Sequence, residues 1–208
     1  MKEVIRVGAD PFPPYQYVNA DGTLDGLDYR VVKAVLERAG YTPKITIDTW
    51  SKVWSCFLKG ELDALFQVQD TPERLAKYFF SKRLRDAVTG AVTLKKELES
   101  LTSYKEIPEQ NLSIAVIEGF SYGYQIDSLA DTSKKTYPDT LGLLKAVETG
   151  EADLGIVDQG VYTHLKKQGK TGSFLTIPGL EYLRPLYVMF RESFDRDAFN
   201  SALENKRG

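Results

Sequence analysis

The stretch GELDALFQVQDTPERLAKYFFS, residues 60–81, contains the junctions that decide the fold of this chain. It follows a helix-like run, SKVWSCFLKG, and it opens with DALFQV, an apolar run typical of a buried strand. TPER then predicts a new helix, with Thr71 as its N-cap and Pro72 at the first helical position. The order within this short span is a helix, a glycine, a strand, a polar tip and a second helix. Such an order is typical of an α/β protein.

The chain before this stretch has the same alternation. Val4–Val7 and KITID read as strands, and Gly40 and Ser51 suit the C-terminal cap of one helix and the N-cap of the next. The strands therefore alternate with helices and the links are short. This order implies that the strands pair in parallel with right-handed crossovers. The first helix is predicted from apolar residues that recur on one face of LDYRVVKAVLERAG: Leu27, Val31, Val32, Val35 and Leu36.

Ligands of open parallel sheets bind beyond the carboxyl ends of the strands. That rule directs attention to the loops that follow Val7, Ile47 and Val68. The first of these loops, ADPFPPYQY, is rigid and aromatic because its prolines exclude a helix. We therefore look for binding residues in these three loops.

The second half of the chain echoes the first. FLKGELDALFQVQ (57–69) and AVETGEADLGIVDQ (146–159) both read as a helix end, Gly-Glu-x-Asp, an apolar strand and a polar tip. NLSIAVIEG reads as a strand before a loop, with a helix predicted to start near Ser121. Two similar lobes follow from this repetition.

Two β-branched stretches predict where the chain crosses between the lobes. They are VTGAVTLKK (88–96) and LRPLYVMFRES (183–193). Lobe one is therefore predicted as residues 1–90 plus 187–208, and lobe two as residues 91–186, with the ligand cleft between them. Two crossings at a narrow waist predict a hinge that closes around a ligand.

The composition excludes several classes of function. The 208 residues are 42% hydrophobic and 27% charged with a net charge of −2, so no basic excess favours nucleic acid. No run approaches the roughly 18 apolar residues of a membrane span. Cys56 and His164 are the only residues of their types, which excludes an intramolecular disulfide and a histidine-based metal cluster. We expect neither a metal nor a cofactor, and we expect Cys56 to pack in a helix face and His164 to lie near a helix C-terminus.

The start of the chain leaves two alternatives open. MKEVIRVGAD lacks the charged start, apolar stretch and cleavage site of a signal peptide. Met1 therefore fits either a start placed before a mature secreted domain or the true start of a cytosolic protein.

Five quoted segments together resemble the bacterial family-3 extracellular solute-binding proteins, the amino-acid receptors of ABC importers. They cover nearly the whole chain, and the pattern T-x-E-R followed by an aromatic residue and Phe-Ser is the most specific. The segments are ADPFPPYQY, DGTLDGLDYRVVKAVLERAG, GELDALFQVQDTPERLAKYFFS, IAVIEGFSYG and GEADLGIVD.

This resemblance implies a two-lobed α/β fold of the type II periplasmic-binding-protein class. Two mixed, mostly parallel sheets flanked by helices would be joined by two hinge strands. The implied activity is binding without chemistry: a monomer captures a free amino acid and delivers it to the membrane subunits of an ABC importer. The implied location is the periplasm or the cell surface, with the signal peptide removed.

The resemblance assigns the ligand's carboxylate to Arg74, Gln69 and Ser121. A planar guanidinium can meet a carboxylate in a bidentate pair, which lysine cannot do. Ser121 would contribute its hydroxyl and backbone N–H, helped by the start of a helix. The alternatives are an exposed Arg74 paired with Glu73 or Asp70, and a Ser121 that only caps the helix. Gln69 departs from the family, because Ser or Thr is usual there.

The ligand's ammonium is assigned to Asp158 and Gln67. Asp158 ends an apolar strand, where an acid is costly unless it meets a cation or water. It also suits the N-cap of the next helix, and both roles can hold at once. Gln67 stands where a small residue or Ser often supplies a carbonyl to the amine.

Five residues are predicted to surround the ligand's side chain. An acid among aromatic rings favours an aromatic, cationic or amide ligand over Asp or Glu. The alternative for Asp10 is that it only orders its own loop. The alternative for Trp50 is a position in the core. The five are Asp10, Phe12, Trp50, Phe66 and Tyr122.

Three other functions compete with transport. A cyclohexadienyl dehydratase-like enzyme would need a proton donor, and the stretch after Asp158 adds no acid, which leaves only Glu118 or Asp10. The chain is therefore predicted not to be an enzyme. The ligand-sensing domain of a membrane receptor would have the same pocket. Gln69 and Glu118 also fit a family member that has lost amino-acid binding.

Overall fold

A computed structural model describes residues 3–204. The described strands are β1 (Val4–Ala9), β2 (Tyr17–Val18), β3 (Leu24–Asp25), β4 (Thr42–Ile47), β5 (Ala64–Val68), β6 (Phe79–Phe80), β7 (Arg85–Thr93), β8 (Ile114–Ile117), β9 (Lys134–Tyr137), β10 (Leu154–Asp158), β11 (Leu175–Thr176) and β12 (Tyr182–Phe190). The α-helices are α1 (Leu27–Arg38), α2 (Trp50–Leu58), α3 (Pro72–Leu75), α4 (Glu106–Glu109), α5 (Tyr124–Asp127), α6 (Thr140–Glu148), α7 (Gln159–Lys167) and α8 (Ser193–Glu204). Three short 3-10 helices span Lys96–Ser100, Asp131–Ser133 and Pro178–Leu180.

The chain divides into two compact units. Unit 1 contains the chain up to Asp86 and from Pro185 onward, and unit 2 is Ala87–Arg184. Strands β7 and β12 carry the chain from one unit to the other, and the divisions fall inside them. The lobe bounds predicted from the sequence place these crossings near residues 90 and 187, and the predicted cleft stays a prediction.

Each unit contains a mixed sheet with two parallel pairings. In unit 1, β1 pairs in parallel with β4 and with β5, and β12 runs antiparallel to β5. In unit 2, β8 pairs in parallel with β9 and with β10, and β7 runs antiparallel to β10. The predicted α/β class with mixed, mostly parallel sheets is therefore confirmed.

Two apolar clusters pack against the sheet of unit 1. Successive residues of a strand face opposite sides, so Phe66 and Leu65 belong to different clusters. Phe66 packs with Leu36 of α1 and Phe199 of α8, and Leu65 packs with Phe57 of α2. Burial on both faces explains why β5 reads as a continuous apolar run.

Helix α1 follows the predicted pattern except at its first residue. Val32, Val35 and Leu36 are fully buried, and Gly40 has the positive φ of 90° that a C-terminal glycine supplies. The prediction for Leu27 is wrong, since 55% of this residue is exposed. Leu27 is the first helical residue, where the side chain lies at the end of the packed face.

Helix α2 begins two residues earlier than the predicted cap implies. Its N-cap is Thr49, so Ser51 lies in the first turn and not at the cap. The Asp48 carboxylate accepts the Thr49 N–H at 2.8 Å and pairs with Lys52, which stabilises this earlier start. Cys56 is partly buried and packs against the cluster that contains Phe57.

The acids of the echoed Gly-Glu-x-Asp motif act alike in the two units. Asp63 accepts the backbone N–H of Arg6 in β1 at 2.8 Å and pairs with the same residue's guanidinium. Asp153 accepts the backbone N–H of Ser113, just before β8, at 2.7 Å and pairs with Lys95. Each acid therefore fixes the neighbouring parallel strand beside its own.

Asp153 makes the stability of unit 2 dependent on pH. Burial works to raise the pKa of its carboxyl, but hydrogen bonds from Lys95 and Ser113 outweigh burial and hold the pKa below the ordinary 3.8. A carboxyl with a depressed folded pKa stabilises the protein above the unfolded pKa, and this contribution is lost as pH falls through the folded pKa. The free energy of unfolding should fall between about pH 5 and about pH 3, and we expect this fall to be smaller in Asp153→Asn. Urea unfolding at each pH measures the fall. Asp131→Asn is the control because that side chain is fully exposed, and equal slopes for the two variants would contradict the assignment.

Candidate functional site

Arg74 lies in the short helix α3 at the tip after β5. Thr71 caps this helix as predicted and accepts the Arg74 N–H at 3.4 Å, and Pro72 occupies the first position. The Arg74 side chain is partly exposed, and its Nη1 donates to the carbonyl of Gln69 at 3.1 Å. This hydrogen bond ties the guanidinium to the chain just after β5.

Two tryptophans hold the Arg74 guanidinium from α2. Its central carbon lies 5.3 Å from the ring centroid of Trp50 and 5.2 Å from that of Trp54. The two indoles stack on each other with centroids 5.6 Å apart. A guanidinium against ring faces is stabilised by cation–π attraction.

Trp50 takes the core alternative, and its place beside the ligand's side chain stays a prediction. It packs against the cluster of Val53 and Phe57, and it also contacts Arg74. Trp54 was missed by sequence reasoning, although it follows Trp50 by four residues and therefore shares its helix face.

The loop after β1 is internally ordered. Asp10 is buried, with 9% exposure, and its carbonyl accepts a hydrogen bond from Gln16 Nε2 at 3.0 Å. Gln16 is fully buried and had not been singled out from the sequence. Phe12 is buried in this loop. Phe12 is 7% exposed and stacks against Tyr15 at 6.1 Å, because the loop turns back on itself through the Phe12–Gln16 bridge.

Gln67 occupies an irregular place in β5. Its φ is +60°, in the left-handed region that non-glycine residues rarely adopt. Its Nε2 donates to Asp28 Oδ2 at 2.5 Å, and Arg85 Nε donates to the same oxygen at 2.8 Å. Neither Asp28 nor Arg85 had been singled out from the sequence.

Phe66 does not line a ligand site. It is fully buried in the core between β5 and the helices α1 and α8. The strand alternation turns its side chain toward that core, so its predicted place beside the ligand's side chain is corrected.

Tyr122 is likewise a core residue, in unit 2. It is 4% exposed, and its hydroxyl accepts the backbone N–H of Ile117 at 2.8 Å. Its own carbonyl accepts a hydrogen bond from the hydroxyl of Tyr182. These bonds fix the ring inside unit 2, so the prediction that Tyr122 surrounds the ligand's side chain is corrected.

Ser121 does not begin a helix. The helix predicted there is the four-residue α5, which starts at Tyr124 with Gly123 as N-cap at a φ of 91°. The Ser121 hydroxyl donates to Asp127 at 2.6 Å, in a turn that the Asp127 carboxylate organises. Ser121 is partly exposed, so its contribution to a ligand rests on its own polar groups and not on a helix start.

Asp158 ends β10 and caps α7. Its Oδ1 accepts the N–H groups of Gly160 and Val161 at 2.9 and 3.0 Å, and the residue is 5% exposed. The capping alternative is therefore correct, and the contact of Asp158 with the ligand's ammonium stays a prediction.

A buried arginine connects the predicted residues of unit 2. Arg184 is 7% exposed, and it donates to the Ser121 carbonyl at 2.8 Å and to Thr89 Oγ1 at 3.2 Å. Thr89 is the register partner of Asp158, so these two side chains leave the same face of the antiparallel pair. Sequence reasoning missed Arg184 because it lies inside a strand that reads as an apolar crossing.

The described residues contain neither a metal-binding cluster nor a membrane-spanning helix. Within residues 3–204, no group of three or more His, Cys, Asp or Glu side chains is arranged to hold a metal ion. None of the helices in this part of the chain is long and apolar enough to cross a membrane.

Comparison with protein families gives one match. The family model described as bacterial extracellular solute-binding proteins, family 3, matches residues 5–205. No curated protein sequence matches the chain.

Solved structures of amino-acid-binding proteins share the fold at low sequence identity. The arginine-bound form of truncated ArgBP from T. maritima has a TM-score of 0.79 at 19% identity, over 98% of this chain and 96% of that one. A substrate-binding protein of an ABC uptake transporter from Streptococcus pneumoniae, with bound histidine, has a TM-score of 0.78 at 20% identity, over 99% and 87%. An ancestral amino acid-binding protein described as a precursor of cyclohexadienyl dehydratase has a TM-score of 0.78 at 19% identity, over 99% and 90%. At these identities the likeness establishes the type II periplasmic-binding-protein fold.

Proposed function

The chain belongs to the bacterial extracellular solute-binding proteins, family 3, and from that premise we propose that it captures a free amino acid for an ABC importer. The observation that carries this proposal is the Arg74 guanidinium, which lies over the rings of Trp50 and Trp54 and donates to the Gln69 carbonyl. A guanidinium held in a fixed plane meets a carboxylate through two parallel hydrogen bonds at little cost in entropy.

The proposal assigns the two charged groups of the ligand to different residues. Arg74 takes the α-carboxylate, together with the backbone of Gln69 and with Ser121. Asp158 takes the α-ammonium with one carboxylate oxygen while the other caps α7. The Gln67 carbonyl is the second acceptor for the ammonium. A carboxylate partner and an ammonium partner together select an amino acid.

Asp10 and the tryptophans define the class of side chain. Asp10 is a buried acid in the loop after β1, and a buried acid favours a cation or an amide donor over an anionic group. Trp50 adds an aromatic face that suits a ring or a cation. The proposed ligands are therefore cationic, amide or aromatic amino acids. Solved relatives of this fold bind arginine and histidine.

Binding without chemistry is the proposed mode of action. The stretch after Asp158 offers no additional acid, which leaves Asp10 and Glu118 as the only candidate proton donors. The protein is proposed to act as a monomer at the periplasmic or cell-surface side, with the membrane subunits of an ABC importer as partners. Release of product from prephenate or arogenate would contradict a purely binding role.

A thermal-shift screen of the twenty amino acids tests the proposal. Binding to the folded state alone adds RT ln(1 + [L]/Kd), about 2.7 kcal/mol at a ligand concentration of 100 Kd. For a chain of this length we expect the unfolding midpoint to rise by about 5 °C or more with at least one amino acid. If none raises the midpoint, and no amino acid is carried over from expression, the proposed function is wrong.

Tryptophan emission should report the same event. Trp50 and Trp54 are the only tryptophans in the chain, and both lie against Arg74. A carboxylate that pairs with Arg74 changes the field at both rings, so we expect a saturable change in emission on titration with the amino acid. Trp54→Phe should reduce the amplitude because one of the two reporting indoles is removed. Calorimetric binding without any change in emission would contradict the position of the ligand.

Asp158→Ala is expected to weaken amino-acid binding severely. It removes the ammonium's acceptor, and a lost hydrogen bond to a charged group costs about 1.5–3 kcal/mol, or roughly 10- to 150-fold in Kd. Asp139→Ala is the matched control, because Asp139 likewise caps a helix of unit 2 but is not assigned to the ligand. If the two variants bind equally well in calorimetry, Asp158 acts only as a cap.

A further inference from the structure

Strand β5 contains a bulge at Gln67. In its antiparallel pairing with β12, Val68 lies opposite Tyr187 and Phe66 lies opposite Val188. Two consecutive residues of β12 thus face two residues of β5 that are separated by Gln67. The extra residue of a bulge is left out of the ladder, and its peptide groups are turned away from the partner strand.

The left-handed conformation of Gln67 requires an anchor. A side chain at a φ of +60° is strained by contact with its own backbone, and a non-glycine residue holds this conformation only when its surroundings fix it. The bond from Gln67 Nε2 to Asp28 Oδ2, at 2.5 Å, is such a fixing contact, because it reaches from β5 to the first turn of α1.

Asp28 is itself held in place on two sides. Its backbone N–H donates to the carbonyl of Tyr15 at 2.8 Å, and its carboxylate pairs with Arg85 at 2.8 Å. The Arg85 guanidinium lies over the ring of Tyr15, 3.5 Å from the centroid. Asp28 is 5% exposed, so the carboxylate is a buried, paired charge and not a surface acid.

We propose that Asp28, oriented by Arg85, is a positioning residue for amino-acid binding, because it holds Gln67 in the left-handed conformation that presents the Gln67 carbonyl to the ligand's ammonium. This inference rests on the proposed function and names how one part of that site is built. Asp28 does not touch the ligand; it acts through the backbone of Gln67. The side chain of Gln67 is the tether that joins β5 to Asp28. This role explains why a long side chain with a terminal amide stands at this position.

The first test compares two substitutions at one position. Gln67→Gly removes the tether but adopts a positive φ freely, so the affinity should stay within about threefold of the unchanged protein. Gln67→Ala removes the tether and keeps the steric penalty, so the affinity should fall about tenfold. Affinity is measured by calorimetry with the free L-amino acid that gives the largest shift in the thermal screen. Equal affinities for the two variants would overturn the inference.

The second test moves the substitution to the anchor. Asp28→Asn weakens the pair with Arg85 and the hold on Gln67, so the affinity should fall about tenfold. Adding Gln67→Gly to this variant should restore the affinity to within about threefold of the unchanged protein, because glycine needs no anchor. A merely structural role of Asp28 predicts no such rescue, and absence of rescue would overturn the inference.

Asp63→Asn is the matched control in the same unit. Asp63 is equally buried and paired with an arginine, Arg6, but contacts neither Gln67 nor Asp28 in the contacts described for it. This variant should be less stable to urea than the unchanged protein and should bind with an affinity within about threefold of it. A tenfold loss for Asp63→Asn would mean that any disturbed buried pair weakens binding, which would overturn the specific role of Asp28.

The outcomes separate this inference from the function on which it rests. If the unchanged protein binds none of the twenty amino acids, the proposed function fails and the inference fails with it. If the unchanged protein binds and Gln67→Ala binds equally well, the inference alone fails.

Discussion

Arg74→Ala is expected to abolish the stabilisation that a free amino acid gives this protein. The substitution removes two charge-assisted hydrogen bonds to the ligand's carboxylate, each worth about 1.5–3 kcal/mol. The sum of about 3–6 kcal/mol corresponds to a loss of roughly 100-fold to 10,000-fold in affinity. Calorimetry with the best ligand from the thermal screen measures this loss directly.

Arg74→Lys separates charge from geometry. Lysine keeps the positive charge but loses the plane that stacks on Trp50 and Trp54 and the fork that meets a carboxylate. We expect an affinity loss of at least about tenfold for this variant as well. Arg83→Ala is the control, because the exposed Arg83 pairs with Asp86 and is not assigned to the ligand. If Arg74→Ala binds within threefold of the unchanged protein, the carboxylate is held elsewhere.

Among the substitutions considered that add a single methyl group, Gly26→Ala is expected to destabilise the protein most. Gly26 has a φ of +129°, and an added Cβ would lie 2.3 Å from the carbonyl oxygen of Tyr15 and 2.5 Å from its carbonyl carbon. That carbonyl accepts the N–H groups of Asp28 and Tyr29 in the first turn of α1. The clash is with backbone, so relief requires the loop after β1 to move away from the helix it caps. We expect a loss of about 3 kcal/mol or more in the free energy of unfolding.

Gly22→Ala is the matched control for this prediction. Gly22 also has a positive φ, of +84°, but an added Cβ would meet nothing within 4 Å. It therefore carries the conformational penalty alone, about 1–2 kcal/mol. Urea unfolding of the two variants measures the difference, and losses of equal size would show that the contact with Tyr15 does not limit residue 26.

Local rules succeeded where the deciding contacts lie within a few residues. Thr71 and Pro72 start α3, and Gly40 follows α1, because capping depends on neighbouring N–H and C=O groups. The same rules failed at Ser51 because Asp48, one residue before the cap, stabilised an earlier start. At Ser121 they failed because Asp127 organises a turn before the short helix.

Burial of aromatic residues in the candidate site was predicted poorly. Phe66 and Tyr122 were assigned to the ligand and lie in the cores of their units, and Phe12 is buried by its own loop. Each is compatible with a pocket by residue type alone. Which face a strand residue takes, and whether a loop turns back on itself, depends on packing that no short segment contains.

The sequence by itself determined the order of the elements, the echo between Asp63 and Asp153, and the arginine after β5 that we propose for the carboxylate of the ligand. Those features follow from capping, periodicity and side-chain chemistry, which act over a few residues. Only the tertiary structure decided that Trp54 would lie against Arg74 and that Asp28 would receive Gln67 and Arg85, which are 39 and 57 residues away along the chain. Contacts at such separations depend on how helices pack on a sheet, so the geometry of the site is decided by the fold and its chemistry by the sequence.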